Sequence, residues 1–234
     1  MTKYRRILLK LSGEALSKGA DGILNFDFIA EVAEKIKRCA DDGAQIAIVV
    51  GGGNIWRGKT GTQISRTRSD SIGMLATVIN SLAMATGLEN AGLPAVTMTA
   101  IPMQQITEPY VRDKAVEHLE NGKAVIVACG TGSPFFSTDT AAVLRAVELD
   151  CAVALFAKNI DGVYTADPKK DPTAKKLDSI TYDDILKKDL AVIDSTAAAM
   201  GRENKLPVLL FGLNNPENII SAVNGEKIGT IVNV

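Results

Sequence analysis

The stretch 44–58, AQIAIVVGGGNIWRG, limits the possible folds of this chain more than any other, because an Ile- and Val-rich run empties directly into three glycines. Gln45 is the only strongly polar residue between Ala44 and Val50, a pattern that suits a parallel strand covered on both faces. Glycines at the carboxyl end of such a strand let backbone N–H groups approach an anion closely, and open α/β sheets keep their ligands at that edge. The device recurs twice. In 3–13, KYRRILLKLSG, a lysine lies inside an apolar strand just before a Ser-Gly turn; in 124–139, AVIVACGTGSPFFSTD, a strand runs through Gly-Thr-Gly toward a helix start.

Strands and helices alternate along the 234 residues, which predicts one α/β domain over 1–234. With 46% hydrophobic and only 5% aromatic residues, its core is expected to be aliphatic. A formal net charge of −1 argues against broad nucleic-acid or anionic-membrane binding, so any phosphate must be held locally. Cys39, Cys129 and Cys151 are odd in number, lack C-x-x-C spacing and sit in or beside apolar segments, which points away from a disulfide framework or a zinc site and toward a reducing cytoplasm. The apolar run Ile7 to Leu11 is broken by Lys10 and is too short for a signal peptide, and no segment reads as long enough to span a bilayer.

Ser12 to Asn25 reads as a loop leading to a helix near Asp27, where Phe28, Ile29, Val32, Ala33, Ile36, Cys39 and Ala40 recur at helical spacing. Asp70 to Ala91 is the longest helical candidate. Ile72, Leu75, Ile79 and Leu82 line one side while Met74, Val78 and Met84 make the other apolar too; packing on a second subunit as well as the sheet is expected, with a fully interior helix as the alternative. Helices follow at Val111 to Glu120, Thr138 to Leu149, Tyr182 to Lys188, Ser195 to Asn204 and Pro216 to Val223; strands are expected at Ala95 to Met98, Ala124 to Cys129, Cys151 to Phe156, Pro207 to Phe211 and Gly229 to Val232. The segment 157–178 is rich in turn residues and reads as a hairpin or irregular excursion, with Lys169, Lys170, Lys175 and Lys176 on its solvated side.

Gly53 to Thr60, GNIWRGKT, satisfies the P-loop pattern letter for letter, but the GTQISRTRSDS that follows has no apolar period with which to open the required helix. Arg57 within it remains suited to bidentate phosphate contact beside a glycine nest. Lys10 is costly to bury unless its ammonium emerges at the strand end or meets a counter-charge such as phosphate; the alternative is the solvent side of an edge strand. Gly130, Thr131 and Gly132 offer N–H and hydroxyl donors, and Thr138 with Asp139 opens a helix whose positive end favours an anion. His118 reads as an ordinary surface residue, Trp56 as packing, Cys129 as an inert buried thiol; of Phe135 and Phe136, one is expected to fill core and the other to shape a pocket.

KLSGEAL at 10–16, GGGNIWRG at 51–58, D-x-x-G-M-L-A-T at 70–77, GTGSPFFSTD at 130–139 and DGVYTADP at 161–168 together resemble the bacterial uridylate kinases of the amino acid kinase superfamily, over essentially the whole chain. The resemblance implies a three-layer α/β/α sandwich around a mainly parallel sheet, a homo-oligomer assembled as a hexamer from dimers, and the reaction ATP + UMP to ADP + UDP. It implies that Lys10, Leu11, Ser12 and Gly13 meet the nucleotide phosphates, that Gly51, Gly52 and Gly53 lie between donor and acceptor with Gly52 toward UMP and Gly53 toward ATP, and that Arg57 clamps phosphate. Asp70 would take the ribose of UMP, and Thr131, Gly132, Ser133, Pro134, Phe135, Phe136, Ser137 and Thr138 would enclose its phosphate and base. Asn159, Tyr164 and Asp167 would hold the adenosine of ATP, Asp139 would join the catalytic set, and Asp194 would orient Lys10 or other active-site groups. Mg2+ is expected on the ATP phosphates, with no protein ligand identified. GTP activation and UTP inhibition are implied, through the loop from Ser17 to Asn25 or a subunit junction. Carbamate and acetylglutamate kinases, and non-catalytic nucleotide-binding storage or sensor proteins, are the rival readings.

Overall fold

Alternation along the first strand sets the layers: Ile7, Leu9 and Leu11 bury on one face of the sheet, Leu8 and Lys10 on the other. The computed structural model describes residues 2–17, 19, 21–57, 64–166, 168, 170–188, 190 and 192–234. In chain order the elements are β1 (Arg6–Leu11), α1 (Gly13–Leu16), α2 (Phe26–Asp41), β2 (Gln45–Val50), α3 (Arg66–Asn90), β3 (Ala95–Thr99), β4 (Glu108–Pro109), α4 (Arg112–Glu120), β5 (Ala124–Ala128), α5 (Thr138–Glu148), β6 (Val153–Lys158), β7 (Val163–Tyr164), β8 (Lys176–Leu177), β9 (Ser179–Thr181), α6 (Tyr182–Lys187), α7 (Ser195–Glu203), β10 (Val208–Gly212), α8 (Asn218–Val223) and β11 (Thr230–Asn233).

Nine strands form one sheet in the order β4-β3-β5-β2-β1-β6-β10-β11-β9, and β7 pairs with β8 in a separate antiparallel hairpin. Every pairing in the large sheet is parallel except β10 with β11. Helices cover both faces, as a mainly parallel sheet requires. One core joins α2, α8 and the C-terminal half of α3 to the sheet; the other joins α4, α5, α6 and α7 to its opposite face. The three-layer α/β/α expectation therefore holds. β1 is the central strand, with Lys10 in register with Val49 on one side and Phe156 on the other, so the edge-strand alternative for this lysine is excluded.

Several boundaries differ from the sequence reading. The loop expected from Ser12 opens with the one-turn helix α1, and α3 begins at Arg66, four residues before Asp70, with Ser65 as its cap. β4 and β9 were not expected; two- and three-residue strands carry no alternation to detect. The hairpin in 157–178 is present. The three cysteines are buried and free, and burial pushes the thiols of Cys39 and Cys151 up to about 12. At 25 residues α3 does reach the length and apolarity of a membrane span, contrary to the sequence reading, but half of its most apolar window is buried within the protein. The P-loop-like residues 58–60 lie outside the described residues.

Candidate active site

Because β1, β2, β5 and β6 run parallel, their carboxyl ends share one edge, and the chain turns there at Ser12-Gly13, Gly51 to Gly53, Cys129 to Gly132 and Lys158. The turns touch. Gly51 N–H donates to the Leu11 carbonyl at 2.9 Å, and a Cβ on Gly13 would run into the Gly51 carbonyl oxygen. A Cβ on Gly52 would sit 2.9 Å from both the Gly73 carbonyl oxygen and the Ala76 methyl, so this turn is pressed against α3 at a distance only glycine permits.

Where the turns meet, the Lys10 ammonium lies 3.0 Å from Asp139, in the first turn of α5, and the Lys158 ammonium 3.1 Å from the other oxygen of the same carboxylate. All three side chains are largely buried. Burial alone would raise the Asp139 carboxyl, but the two ammonium groups more than offset it and hold it below the usual carboxylate range. For Lys158 burial is the larger influence and draws its ammonium below the ordinary lysine value, against the pull of Asp139. Two cations facing one carboxylate leave an excess positive charge at the sheet edge, which suits a phosphate.

Sequence reasoning found Lys10 and Asp139 but missed Lys158. Its signal was the one that marked Lys10: an apolar strand, VALFAK, ending in lysine before a turn.

Asp194 does not touch Lys10. It caps α7, accepting from Ala197 N–H at 3.0 Å, and also accepts from the Thr140 hydroxyl at 2.9 Å and from the Ser137 hydroxyl. Ser137 in turn caps α5 through Thr140 N–H. One carboxylate therefore joins the starts of α5 and α7 beneath Asp139, and the part of orienting Lys10 falls to Asp139.

Beside this cluster opens a cleft of about 420 Å³, lined among others by Gly52, Gly53, Arg57, Asp70, Phe136, Ser137 and Thr138. Arg57 pairs with Glu14 of α1, and Trp56, which also lines the cleft, donates its indole N–H to Ser69 at 2.9 Å. Asp70 is held by Arg66 and by the backbone N–H of Phe135. Phe135 and Phe136 are both exposed, so neither fills core: the loop that carries them leaves the sheet edge and runs over α3. Within that loop Cys129, Gly130, Gly132 and Phe135 all adopt positive φ. Two left-handed non-glycine residues so close together mark a segment whose conformation is imposed by its surroundings. Thr77 accepts from Cys129 N–H at 2.9 Å, and Arg145 donates to the Gly130 carbonyl at 3.2 Å. Thr131 folds back onto Ser133, and Gly132 N–H closes a turn on Cys129. Pro134 is half-buried.

Another support went unread in the sequence. Asn80, fully buried on α3, donates to the Gly51 carbonyl at 2.6 Å and exchanges hydrogen bonds with the Asn54 amide at 2.7 and 3.1 Å; Asn54 also donates to the Ile23 carbonyl. Holding the Gly51 carbonyl against α3 fixes the turn whose next two residues, Gly52 and Gly53, line the cleft.

Asn159 is exposed immediately after Lys158. Tyr164 donates its hydroxyl to Asp161 at 2.9 Å, and the Asp161 main chain lies close to Gly212 at the end of β10. These two therefore sit beyond Lys158, on the opposite side of β1 from the cleft. Asp167 lies outside the described residues. His118 is half-buried rather than a plain surface residue, 3.1 Å from Glu108 of β4.

A parallel sheet with a basic, glycine-lined carboxyl edge matches a known class: a model of the amino acid kinase family covers residues 5–212, and the chain belongs to that family. Within it, the chain is similar to the crystal structure of UMP kinase from Bacillus anthracis, with 38% identity, a TM-score of 0.94, and 98% of this chain and 96% of that one covered. The UMP kinase from Ureaplasma parvum is 33% identical with a TM-score of 0.93, covering 99% and 100% of the two chains. The uridylate kinase from Archaeoglobus fulgidus is 30% identical over 99% and 100%, with a TM-score of 0.76.

Proposed function

We propose that this protein is an ATP-dependent UMP kinase, transferring the γ-phosphoryl group of Mg-ATP to UMP to give ADP and UDP. The observation that carries this reading is the Lys10, Asp139 and Lys158 cluster at the junction of three turns, with a nucleotide-sized cleft on one side and the Asn159 and Tyr164 segment on the other. Similarity to UMP kinases selects the acceptor.

In the proposed mechanism UMP lies in the cleft, its ribose at Asp70 and its phosphate against Gly52, Arg57 and the segment Thr131 to Thr138. ATP lies across Lys158, with its phosphates at Lys10, Leu11, Ser12, Gly13 and Gly53, and its adenosine toward Asn159, Tyr164 and Asp167. An oxygen of the UMP phosphate attacks the γ-phosphorus in line, the bond to the β,γ-bridging oxygen breaks, and ADP departs with that electron pair. The attacking phosphate is already ionised, so no base is needed; positioning and charge neutralisation do the catalysis. Lys10 and Lys158 follow the charge on the group in flight, and Asp139 keeps both ammonium groups aimed at it. The divalent ion arrives as part of the ATP substrate.

We also read the chain as one domain of a cytoplasmic homo-oligomer built from dimers up to a hexamer, responsive to GTP and UTP. Support for association is the stripe of Ile72, Leu75 and Ile79, exposed along α3.

A coupled ADP-release assay offering UMP, CMP, carbamate and acetylglutamate tests the assignment. UMP-dependent ADP release is expected. Turnover with carbamate or acetylglutamate instead would move the chain elsewhere in its family, and turnover with none would leave a nucleotide-binding storage or sensor protein.

A further inference from the structure

Asp70 carries an arrangement that the phosphoryl-transfer chemistry does not use. Arg66, one helical turn earlier on α3, directs its Nε at both Asp70 oxygens, 2.8 Å from each. Across the cleft, Phe135 donates its backbone N–H to Asp70 Oδ2 at 2.9 Å. The Arg66 guanidinium also lies over the Phe135 ring, 5.8 Å from its centroid. Phe135 sits at φ +72° with its ring exposed, a conformation that needs an external hold. Arg66 and Asp70 both line the cleft, and Asp70 is much the more buried of the two.

We propose that Arg66 is a positioning residue for ribose recognition: it fixes the rotamer of Asp70 so that the free carboxylate lone pairs face the two hydroxyls of a ribonucleotide acceptor. The inference rests on the reading that UMP occupies this cleft with its ribose at Asp70. A carboxylate offers about four acceptor sites. Arg66 Nε and Phe135 N–H take the side toward the helix start and the loop, and what remains is matched to hydroxyl donors. A 2′-deoxy acceptor leaves one of those lone pairs unmatched, and a buried polar group without its partner is what separates two otherwise similar ligands. When Arg66 is removed, the Phe135 N–H is the remaining hold on the carboxylate among the described residues; the second oxygen loses its fixed direction, and the preference for a 2′-hydroxyl falls.

Steady-state kinetics of the full chain with UMP and with dUMP, at saturating Mg-ATP, test this for Arg66→Ala, Arg66→Lys and Asp70→Asn. For Arg66→Ala the KM for UMP should rise about two- to fivefold, the scale of a half-exposed ion pair, with kcat within about twofold. The UMP-to-dUMP ratio of kcat/KM should fall by a similar factor, and Arg66→Lys, which can restore an ion pair one turn away, should recover part of it. Asp70→Asn should abolish the ratio, and adding Arg66→Ala to it should change nothing further. Equal loss for both nucleotides in Arg66→Ala would mean that the arginine acts only as a charge near the phosphate, and unchanged kinetics would mean that it does nothing; either overturns the proposal while a collapsed ratio in Asp70→Asn leaves the ribose reading standing. An unchanged ratio in Asp70→Asn overturns the ribose reading, and this inference with it.

Discussion

At the scale of single residues, the site turns on one carboxylate shared by two ammonium groups. Removing Asp139 leaves two partly buried cations facing each other, and breaking such an arrangement from one side costs about 3–5 kcal/mol. Asp139→Ala should lower the melting temperature accordingly, with a smaller loss for a Lys158→Ala, Asp139→Ala double variant. The Asp139 carboxyl titrates below its ordinary 3.8 in the folded chain, so the stability it adds is complete above that value and is lost as pH falls through the lower, folded-state value. Lys158 is the reverse case, because burial puts its folded-state pKa below the ordinary 10.5 and the folded chain releases this proton first. The kcat/KM profile should therefore fall on its alkaline side before pH 10.5, and Lys158→Arg should move that limb upward; an alkaline limb that Lys158→Arg leaves in place would remove Lys158 from the chemistry. Lys158→Ala itself should reduce kcat by about two to three orders of magnitude, the usual scale for one electrostatic contact to a transition state.

At the scale of elements, α3 is both a wall of the cleft and the support of the glycine turn. Asn80 is a buried amide whose bonds to Gly51 and Asn54 tie the turn to the helix, alongside the Trp56 indole on Ser69. Asn80→Ala should cost about 1–3 kcal/mol, since the Gly51 carbonyl and the Asn54 amide are left without it, and should lower kcat as the turn loosens. Thermal unfolding and turnover on the same preparation check both parts. This element also shows what a sequence can and cannot tell. Lys10 and the three strand-to-glycine turns were legible because strand patterning and turn chemistry are local. The start of α3 at Arg66 was not, because Arg66 to Ser71 has no apolar period and only the cap at Ser65 marks it. Lys158 was overlooked at the seam between an apolar strand and a lysine-rich turn segment, and Asn80 has no signal at all until the helix is docked against Gly51. Of the two alternatives for Asp194, Lys10 is not its partner, whereas Ser137 of the cleft wall is; which side chain a capping carboxylate reaches is decided by how α5 and α7 meet.

At the scale of the whole molecule, a nine-stranded sheet with helices on both faces leaves its carboxyl edge open, and that edge gathers every turn the site uses. The long helix that walls the cleft carries Ile72, Leu75 and Ile79 outward, at 36%, 51% and 44% exposure. A Leu75→Glu, Ile79→Glu variant should sediment as a smaller species than the parent while keeping its melting transition; an unchanged sedimentation coefficient would place the subunit contact elsewhere.

The central claim is that two nucleotides meet, phosphate to phosphate, at the Lys10, Asp139 and Lys158 cluster. A crystal structure with UMP and a non-hydrolysable ATP analogue measures this directly. The account predicts the terminal phosphate of the analogue within hydrogen-bond distance of both Lys10 and Lys158, with the UMP phosphate facing it from Gly52 and Arg57. Either nucleotide bound away from that edge, with the two lysines still paired to Asp139 and touching no phosphate, would contradict it.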